Sequence, residues 1–164
     1  MTQPLVSVNA TADTSAEVRA HDRVVRYRRS GTRGPNLLLL AADSAADLWP
    51  EFPRLLSDRF RLFMPDLPQS GADATSSFRC LLDGLGATGV SVLAAGRYCD
   101  AALAVALAGD ESVGRLVLVP EITVDAEPDS EPEAAPRVAT APIYVLSRAL
   151  PVDDAIAKAI AYLA

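Results

Sequence analysis

Four side chains that follow or begin apolar segments carry the groups best suited to chemistry in this sequence. Cys99 stands at the predicted start of an alanine-rich helix, where a helix N-terminus favours the thiolate form of a thiol. Glu121 comes after an apolar strand and offers a carboxylate for proton transfer. Arg97 and Arg148 have guanidinium groups suited to holding a carboxylate or phosphate through two hydrogen bonds. The structural alternatives are a buried thiol, a solvated carboxylate and two arginines paired with neighbouring acids.

The remaining chemically active side chains are assigned structural roles. His21, the only histidine of the chain, lies between two short segments that alternate apolar and polar residues, which predicts a surface turn. Cys80 lies on the apolar side of a predicted helix and is expected in the core. Asp100 is expected to cap the helix that holds Cys99. No group of cysteines and histidines has metal-ligand spacing, so neither a metal nor another cofactor is predicted.

The composition is that of one soluble domain. The chain has 164 residues, 50% of them hydrophobic and 22% charged, which supplies a core and excludes a disordered chain. A net charge of −6 disfavours nucleic-acid binding. No apolar run is long enough for a membrane span, and the first residues lack the pattern of a secretory signal. With only two cysteines, we expect a cytoplasmic protein with reduced thiols, and the abundance of alanine and arginine indicates a GC-rich bacterial genome.

Apolar residues predict an N-terminal hairpin followed by alternating strands and helices. The hairpin is predicted from residues 17–20 and 23–28, which alternate apolar and polar side chains. The leucine run at 37–40 suits a central parallel strand that helices cover on both faces. Further strands are predicted over residues 60–65, 90–95, 115–119 and 141–146, and helices over residues 49–56, 78–85 (capped at 75–77 and ended by Gly86), 100–108 and 152–163.

The predicted fold class is α/β, with a mainly parallel sheet, helices on both faces and an N-terminal antiparallel hairpin. Residues 1–14 are expected to form a flexible arm. Residues 15–164 are expected to form a single domain that contains an acidic, proline-rich linker at 126–138. In such sheets ligands bind at the carboxyl ends of the strands, so we expect the site there.

Four segments, in this order, resemble the α/β-hydrolase fold family. Residues 23–31 are similar to its second strand and the glycine that follows, and residues 36–40 look like its third strand. Residues 64–71 read Met-Pro-Asp-Leu-Pro-Gln-Ser-Gly and resemble the family's Asp-Leu-Pro-Gly-x-Gly turn, which Asp66 would brace. Residues 85–119 look like its nucleophile strand, elbow, helix and sixth strand. The resemblance implies the α/β-hydrolase fold for most of the chain.

The positions that match the family's nucleophile elbow and oxyanion loop carry other side chains here. The family's elbow reads Gly-x-Ser-x-Gly, whereas residues 94–98 read Ala-Ala-Gly-Arg-Tyr. Gly96 therefore takes the nucleophile position, and Tyr98 takes the position of a glycine. The His-Gly pair after the family's third strand is replaced by Ala41 and Ala42. The resemblance therefore implies a fold without its usual nucleophile.

The family's catalytic acid, catalytic histidine and lid also lack counterparts in this sequence. Leu150 lies near the position of the family's catalytic acid. The family's final strand, which carries the catalytic histidine, has no counterpart in this sequence. The 126–138 linker stands where the family inserts its lid. His21 cannot replace that histidine, because in the family's strand order its hairpin lies about four strands from the elbow, on the order of 19 Å at about 4.8 Å per strand. A general base has to come within about 3 Å of the proton that it accepts.

These observations predict that Ser-His-Asp hydrolysis is absent. The favoured hypothesis is a non-hydrolytic protein that acts by binding or assembly, as a homodimer or in a hetero-complex. The alternative is an enzyme with reassigned, non-covalent chemistry, such as proton transfer, cyclisation or decarboxylation of a small biosynthetic molecule. The pocket for such a ligand, at the strand ends, would be lined by Ala41, Ala42, Arg97, Tyr98, Cys99, Glu121 and Arg148.

Overall fold

A mixed sheet of seven strands, with four helices against it, makes up the described part of the chain. This computed structural model describes residues 14–41, 52–68, 71–109, 111–120, 142–145 and 152–163. The strands are β1 (Thr14–Ala20), β2 (Arg23–Ser30), β3 (Asn36–Leu40), β4 (Arg61–Pro65), β5 (Val90–Ala95), β6 (Val113–Val119) and β7 (Ile143–Val145). The helices are α1 (Phe52–Ser57), α2 (Gly71–Leu85), α3 (Tyr98–Leu107) and α4 (Val152–Leu163). In space the strands follow the order β1-β2-β4-β3-β5-β6-β7.

The leucine run of β3 forms a central strand of this sheet. β3 pairs in parallel with β4 on one side and with β5 on the other. Because successive side chains of a strand point to opposite faces, Leu38 and Leu40 join the apolar cluster beneath α2 and α3, whereas Leu37 and Leu39 join the cluster beneath α1 and α4. The predicted fold class, a mainly parallel sheet with helices on both faces, is confirmed.

The predicted N-terminal hairpin is also confirmed. β1 and β2 pair antiparallel around a two-residue turn, in which His21 and Asp22 have φ angles of 50° and 60°. Two consecutive left-handed residues are the geometry of a type I′ turn, whose twist matches that of the flanking strands. β2 then pairs antiparallel with β4, so the hairpin forms one edge of the sheet.

Several predicted boundaries are wrong by a few residues. α2 begins at Gly71, so residues 75–77 lie inside the helix instead of capping it, because Ala74 and Ser77 are buried on the helix face that packs against the sheet. β1 includes Thr14, which pairs with Arg29, so the predicted arm ends at least one residue earlier. Residues 1–13 of that arm and the 126–138 linker lie outside the described residues. None of the described helices combines the length and the apolar character needed to span a membrane.

The end of α2 falls where the sequence predicts it. Gly86 has a φ of 59°, its N–H donates to the Asp83 carbonyl, and the next N–H, that of Ala87, donates to the Leu82 carbonyl. This pair of hydrogen bonds is the Schellman motif, which satisfies carbonyl groups at the last turn of a helix and needs a left-handed residue. A Cβ at Gly86 would have no atom within 4 Å.

Gly31, directly after β2, tolerates a side chain less well than Gly86 does. Its φ is 82°, and a Cβ built on it would lie 2.3 Å from the Phe60 carbonyl oxygen and 2.7 Å from the Ser57 carbonyl oxygen. The turn between β2 and β3 thus packs directly against the backbone between α1 and β4. Only glycine meets both conditions, the left-handed backbone and the close approach.

Alanine substitutions at Gly31 and Gly86 separate the effect of the left-handed backbone from the effect of the close approach. Gly86→Ala adds only the strain of a left-handed alanine and should lower the free energy of unfolding by about 1 kcal/mol. Gly31→Ala adds overlap with two carbonyl oxygens and should cost about 2–4 kcal/mol. Urea unfolding followed by circular dichroism measures both values. Equal losses for the two variants would contradict the close approach at Gly31.

Tyr162, near the end of α4, has a buried hydroxyl group. Its ring stacks on that of Tyr144 with 5.0 Å between centroids, and its backbone carbonyl accepts a hydrogen bond from Arg115 at 3.0 Å. Among the described residues, the buried Tyr162 hydroxyl has no hydrogen-bond partner. Burial raises the pKa of Tyr162 above 10.0, and the positive charge of Arg115 opposes part of that rise.

Tyr162→Phe should therefore stabilise the protein. Removal of a buried hydroxyl that has no partner among the described residues should raise the free energy of unfolding by about 1 kcal/mol at neutral pH. Since the pKa is raised in the fold, the native state resists ionisation of Tyr162, and the wild type should lose stability as the pH rises above about 10. The phenylalanine variant should lose less over the same range. Thermal unfolding at pH 7 and pH 10.5 tests both expectations, and a destabilised variant at pH 7 would contradict them.

Candidate functional site

The tight turn between β5 and α3, here called the elbow (Ala95–Tyr98), occupies the carboxyl edge of the central strands. β5 lies between β3 and β6 and ends at Ala95, and α3 begins at Tyr98, so only Gly96 and Arg97 connect them. The Gly96 N–H donates to the Val119 carbonyl at 2.9 Å, which ties the elbow to the end of β6. A site at this edge is where parallel α/β sheets bind their ligands.

Gly96 has the backbone of a nucleophile elbow but not the nucleophile. Its φ is 60°, in the left-handed region, and its carbonyl accepts the N–H of Cys99 at 3.1 Å. A side chain at such a position is strained, and in an α/β-hydrolase the turn presents a serine hydroxyl above the sheet. Glycine adopts the same backbone without strain and has no side-chain atom that could attack a substrate.

Tyr98, two residues after Gly96, points into the protein. Its side chain is only 8% exposed, and its hydroxyl donates a hydrogen bond to the Leu67 carbonyl at 3.1 Å. Leu67 belongs to the segment that follows β4 and is itself buried. The tyrosine therefore connects the elbow with the segment after β4, two strands away in the sheet, and acts as a packing residue.

The two cysteines are free and buried. The Cys99 thiol donates a hydrogen bond to the Ala94 carbonyl at 3.4 Å, across the elbow. The Cys80 thiol donates to the Ala20 carbonyl at 3.1 Å and so joins α2 to the hairpin, which confirms its predicted place in the core. Thiols that are buried away from solvent are structural rather than reactive. The geometry of Cys99 therefore agrees with the alternative of a structural, buried thiol.

The structure describes only some of the other residues predicted for the pocket. Arg97 is exposed at the start of α3, and Ala41, at the end of β3, is half-buried against the cluster beneath α1 and α4. Asp100 lies in the first turn of α3, two residues past its start, so the predicted cap is wrong. The remaining predicted positions, Ala42, Glu121, Arg148 and Leu150, lie outside the described residues, and the pocket as a whole stays a prediction.

His21 is confirmed as a surface turn residue. Its side chain is 72% exposed, and its Nε2 lies 2.9 Å from Oδ2 of Asp83 on α2. In the observed strand order, β1 is four strands from β5, so the imidazole and the elbow are separated by about 19 Å at about 4.8 Å per strand. The only imidazole of this chain therefore cannot act on a group bound at Gly96.

Comparison with known proteins identifies the fold. No family model and no curated protein matches the chain. The structure is similar to carboxylesterase CesB from Bacillus subtilis, with a TM-score of 0.55 and 18% identity over 66% of this chain and 43% of that one. Cfl2 from Burkholderia cenocepacia gives a TM-score of 0.54 and 22% identity over 74% and 46%. Epoxide Hydrolase A from Mycobacterium thermoresistibile gives 0.54 and 18% over 66% and 39%.

This chain therefore has the α/β-hydrolase fold, as the sequence resemblance implied. It spans less than half of the length of each of these three solved structures.

Tyr98→Phe tests the connection between the elbow and the segment after β4. The variant removes one buried hydrogen bond and leaves the Leu67 carbonyl without its donor, so the free energy of unfolding should fall by about 1 kcal/mol. Urea unfolding provides the measurement. Tyr27→Phe is the matched control, because Tyr27 is half-buried and packs its ring 5.9 Å from that of Phe63. A loss at Tyr98 no larger than that at Tyr27 would contradict a structural role for the hydroxyl.

Proposed function

We propose that this protein is a non-hydrolytic protein with the α/β-hydrolase fold that acts by assembly, in the simplest case as a homodimer. Gly96 carries the proposal, because it keeps the left-handed backbone of the elbow and removes the attacking group. A cytoplasmic location with both thiols reduced is part of the proposal.

The surroundings of Gly96 support a role without hydrolysis. Two of the three side chains that follow it are engaged in packing, since the Tyr98 hydroxyl and the Cys99 thiol both donate to backbone carbonyls, whereas Arg97 is exposed. Reassigned chemistry that used Tyr98 or Cys99 would need that group to face a ligand. Their burial therefore supports the view that these two groups serve the fold.

The far edge of the sheet supplies a surface for assembly. In the described part of the chain, β7 pairs with β6 alone and forms the last strand of the sheet. Val145, its final residue, is 53% exposed. An edge strand with an exposed apolar side chain can pair with a strand of another chain, so we place the subunit interface along β7.

Light scattering after size exclusion tests this interface. The wild type should have a mass near twice 17.3 kDa. Val145→Lys should shift the protein to the mass of one chain, because a lysine on an edge strand opposes strand pairing. Val24→Lys is the matched control, because Val24 is also an exposed strand valine, at 46%, but lies on the hairpin; it should leave the mass unchanged.

Hydrolysis of p-nitrophenyl esters is measured on the same preparations. Wild type and Gly96→Ser should both remain at the background rate, since the only histidine of the chain lies four strands away from the elbow. Ester hydrolysis by the wild type that a serine-directed inhibitor blocks would overturn the proposal. A mass of 17.3 kDa at every concentration, with no second protein recovered when the chain is purified from its own cells, would overturn it as well.

A further inference from the structure

A cleft of about 440 Å³ opens beside β4, on the hairpin side of the sheet. Its walls come from the start of β2, from the segment that follows β4 and from α2, including Arg23, Asp66 and Ser77. The volume lies within the range of about 300–1,000 Å³ that is usual for small-molecule sites. β7, along which the subunit interface is proposed, is four strands from β4 in the sheet, so the assembly proposed above does not use this cleft.

The backbone of β2 forms one side of the cleft. β1 pairs with β2 as far as Arg23, but the pairing of β2 with β4 ends where the Asp66 N–H donates to the Arg26 carbonyl at 2.8 Å. Extension of that register would place Pro68 opposite Val24. Because proline has no N–H to donate, the ladder cannot continue there. Backbone groups alternate in direction along a strand, so the N–H and C=O of Val24 face the same side as those of Arg26, toward the cleft.

Arg23 is held in place at the cleft by two contacts with α2. One terminal nitrogen lies 3.2 Å from Oδ1 of Asp73, and the other lies 3.4 Å from the hydroxyl of Ser77, which is buried. A guanidinium group has five N–H donors, so these contacts orient it and leave donors for a ligand. A planar guanidinium with two parallel donors is the usual partner of a carboxylate.

The charges around the cleft select against a simple anion. Asp66 lines the cleft with Arg23, and Asp73 adjoins it through its contact with Arg23. A ligand with a carboxylate alone would gain from Arg23 but would be repelled by Asp66 and Asp73. A ligand with an ammonium group alone would be repelled by Arg23. A ligand with both groups avoids either repulsion.

Apolar side chains line the rest of the cleft. Val24 is 46% exposed, and Leu67 and Pro68 contribute further apolar surface to the walls. An aliphatic group on the ligand would cover this surface. The cleft therefore combines a cation, an anion, a strand backbone and an apolar wall.

We propose that this cleft binds an α-amino acid with an aliphatic side chain as its zwitterion. The ligand carboxylate binds the Arg23 guanidinium, and its ammonium group binds the Asp66 carboxylate. The aliphatic side chain covers Val24 and Pro68. The site does not depend on the assembly proposed above.

Titration of the full chain with L-leucine, followed by NMR amide shifts, tests the proposal. Saturable binding with a Kd of about 1 mM is expected for a small ligand in an open cleft. Leucinamide lacks the carboxylate and 4-methylpentanoate lacks the ammonium group, so each should bind about tenfold more weakly. Arg23→Gln and Asp66→Asn should each weaken leucine binding by about tenfold.

Two variants elsewhere control for general effects of charge. Arg79→Gln on α2 and Asp100→Asn on α3 change exposed residues that do not line the cleft, and both should bind leucine as the wild type does. Equal binding of 4-methylpentanoate and leucine would overturn the zwitterion assignment, and so would leucine binding that Arg23→Gln and Asp66→Asn leave unchanged. No saturable shift with leucine would also overturn it. The mass measured by light scattering should be the same with and without leucine, so failure here is distinct from failure of the assembly.

Discussion

The tight turn between β5 and α3 sets the main constraint on this protein. β5 is buried in the middle of the sheet, and only two residues lead from its end to the helix that packs back against it. Such a turn needs a left-handed residue, and Gly96 supplies one with a φ of 60°. In enzymes with this fold the same backbone is strained to expose a serine. Here a glycine takes the left-handed backbone without that strain and has no side chain to expose.

The side chains beside the elbow are used to hold the fold together. The Tyr98 hydroxyl binds the segment after β4, and the Cys99 thiol binds the end of β5. Groups that could serve chemistry if they faced a pocket instead satisfy buried carbonyls, which would otherwise destabilise the fold. These two polar groups therefore stabilise the elbow.

The two proposed binding surfaces, the β7 edge and the cleft beside Arg23, lie on opposite sides of the sheet. β7 lies at one edge with an exposed valine, whereas the cleft beside Arg23 lies near the hairpin at the other side. Between them the central strands are covered by helices on both faces. Leu67 connects the cleft with the elbow, because it lines the cleft and its carbonyl accepts the hydrogen bond of Tyr98.

The sequence by itself determined the hairpin, the central leucine strand and the end of α2 at Gly86, because each depends on residue type and on periodicity within a few neighbours. The tertiary structure decided where α2 begins, since Ser77 faces the core and binds Arg23, 54 residues away in sequence. It also decided that the Tyr98 hydroxyl binds the Leu67 carbonyl, which lies 31 residues away in sequence. Contacts of this kind follow from strand order, which brings distant segments together and leaves no local pattern of its own. The cleft beside Arg23 was missed for the same reason, because its walls come from three separate parts of the chain.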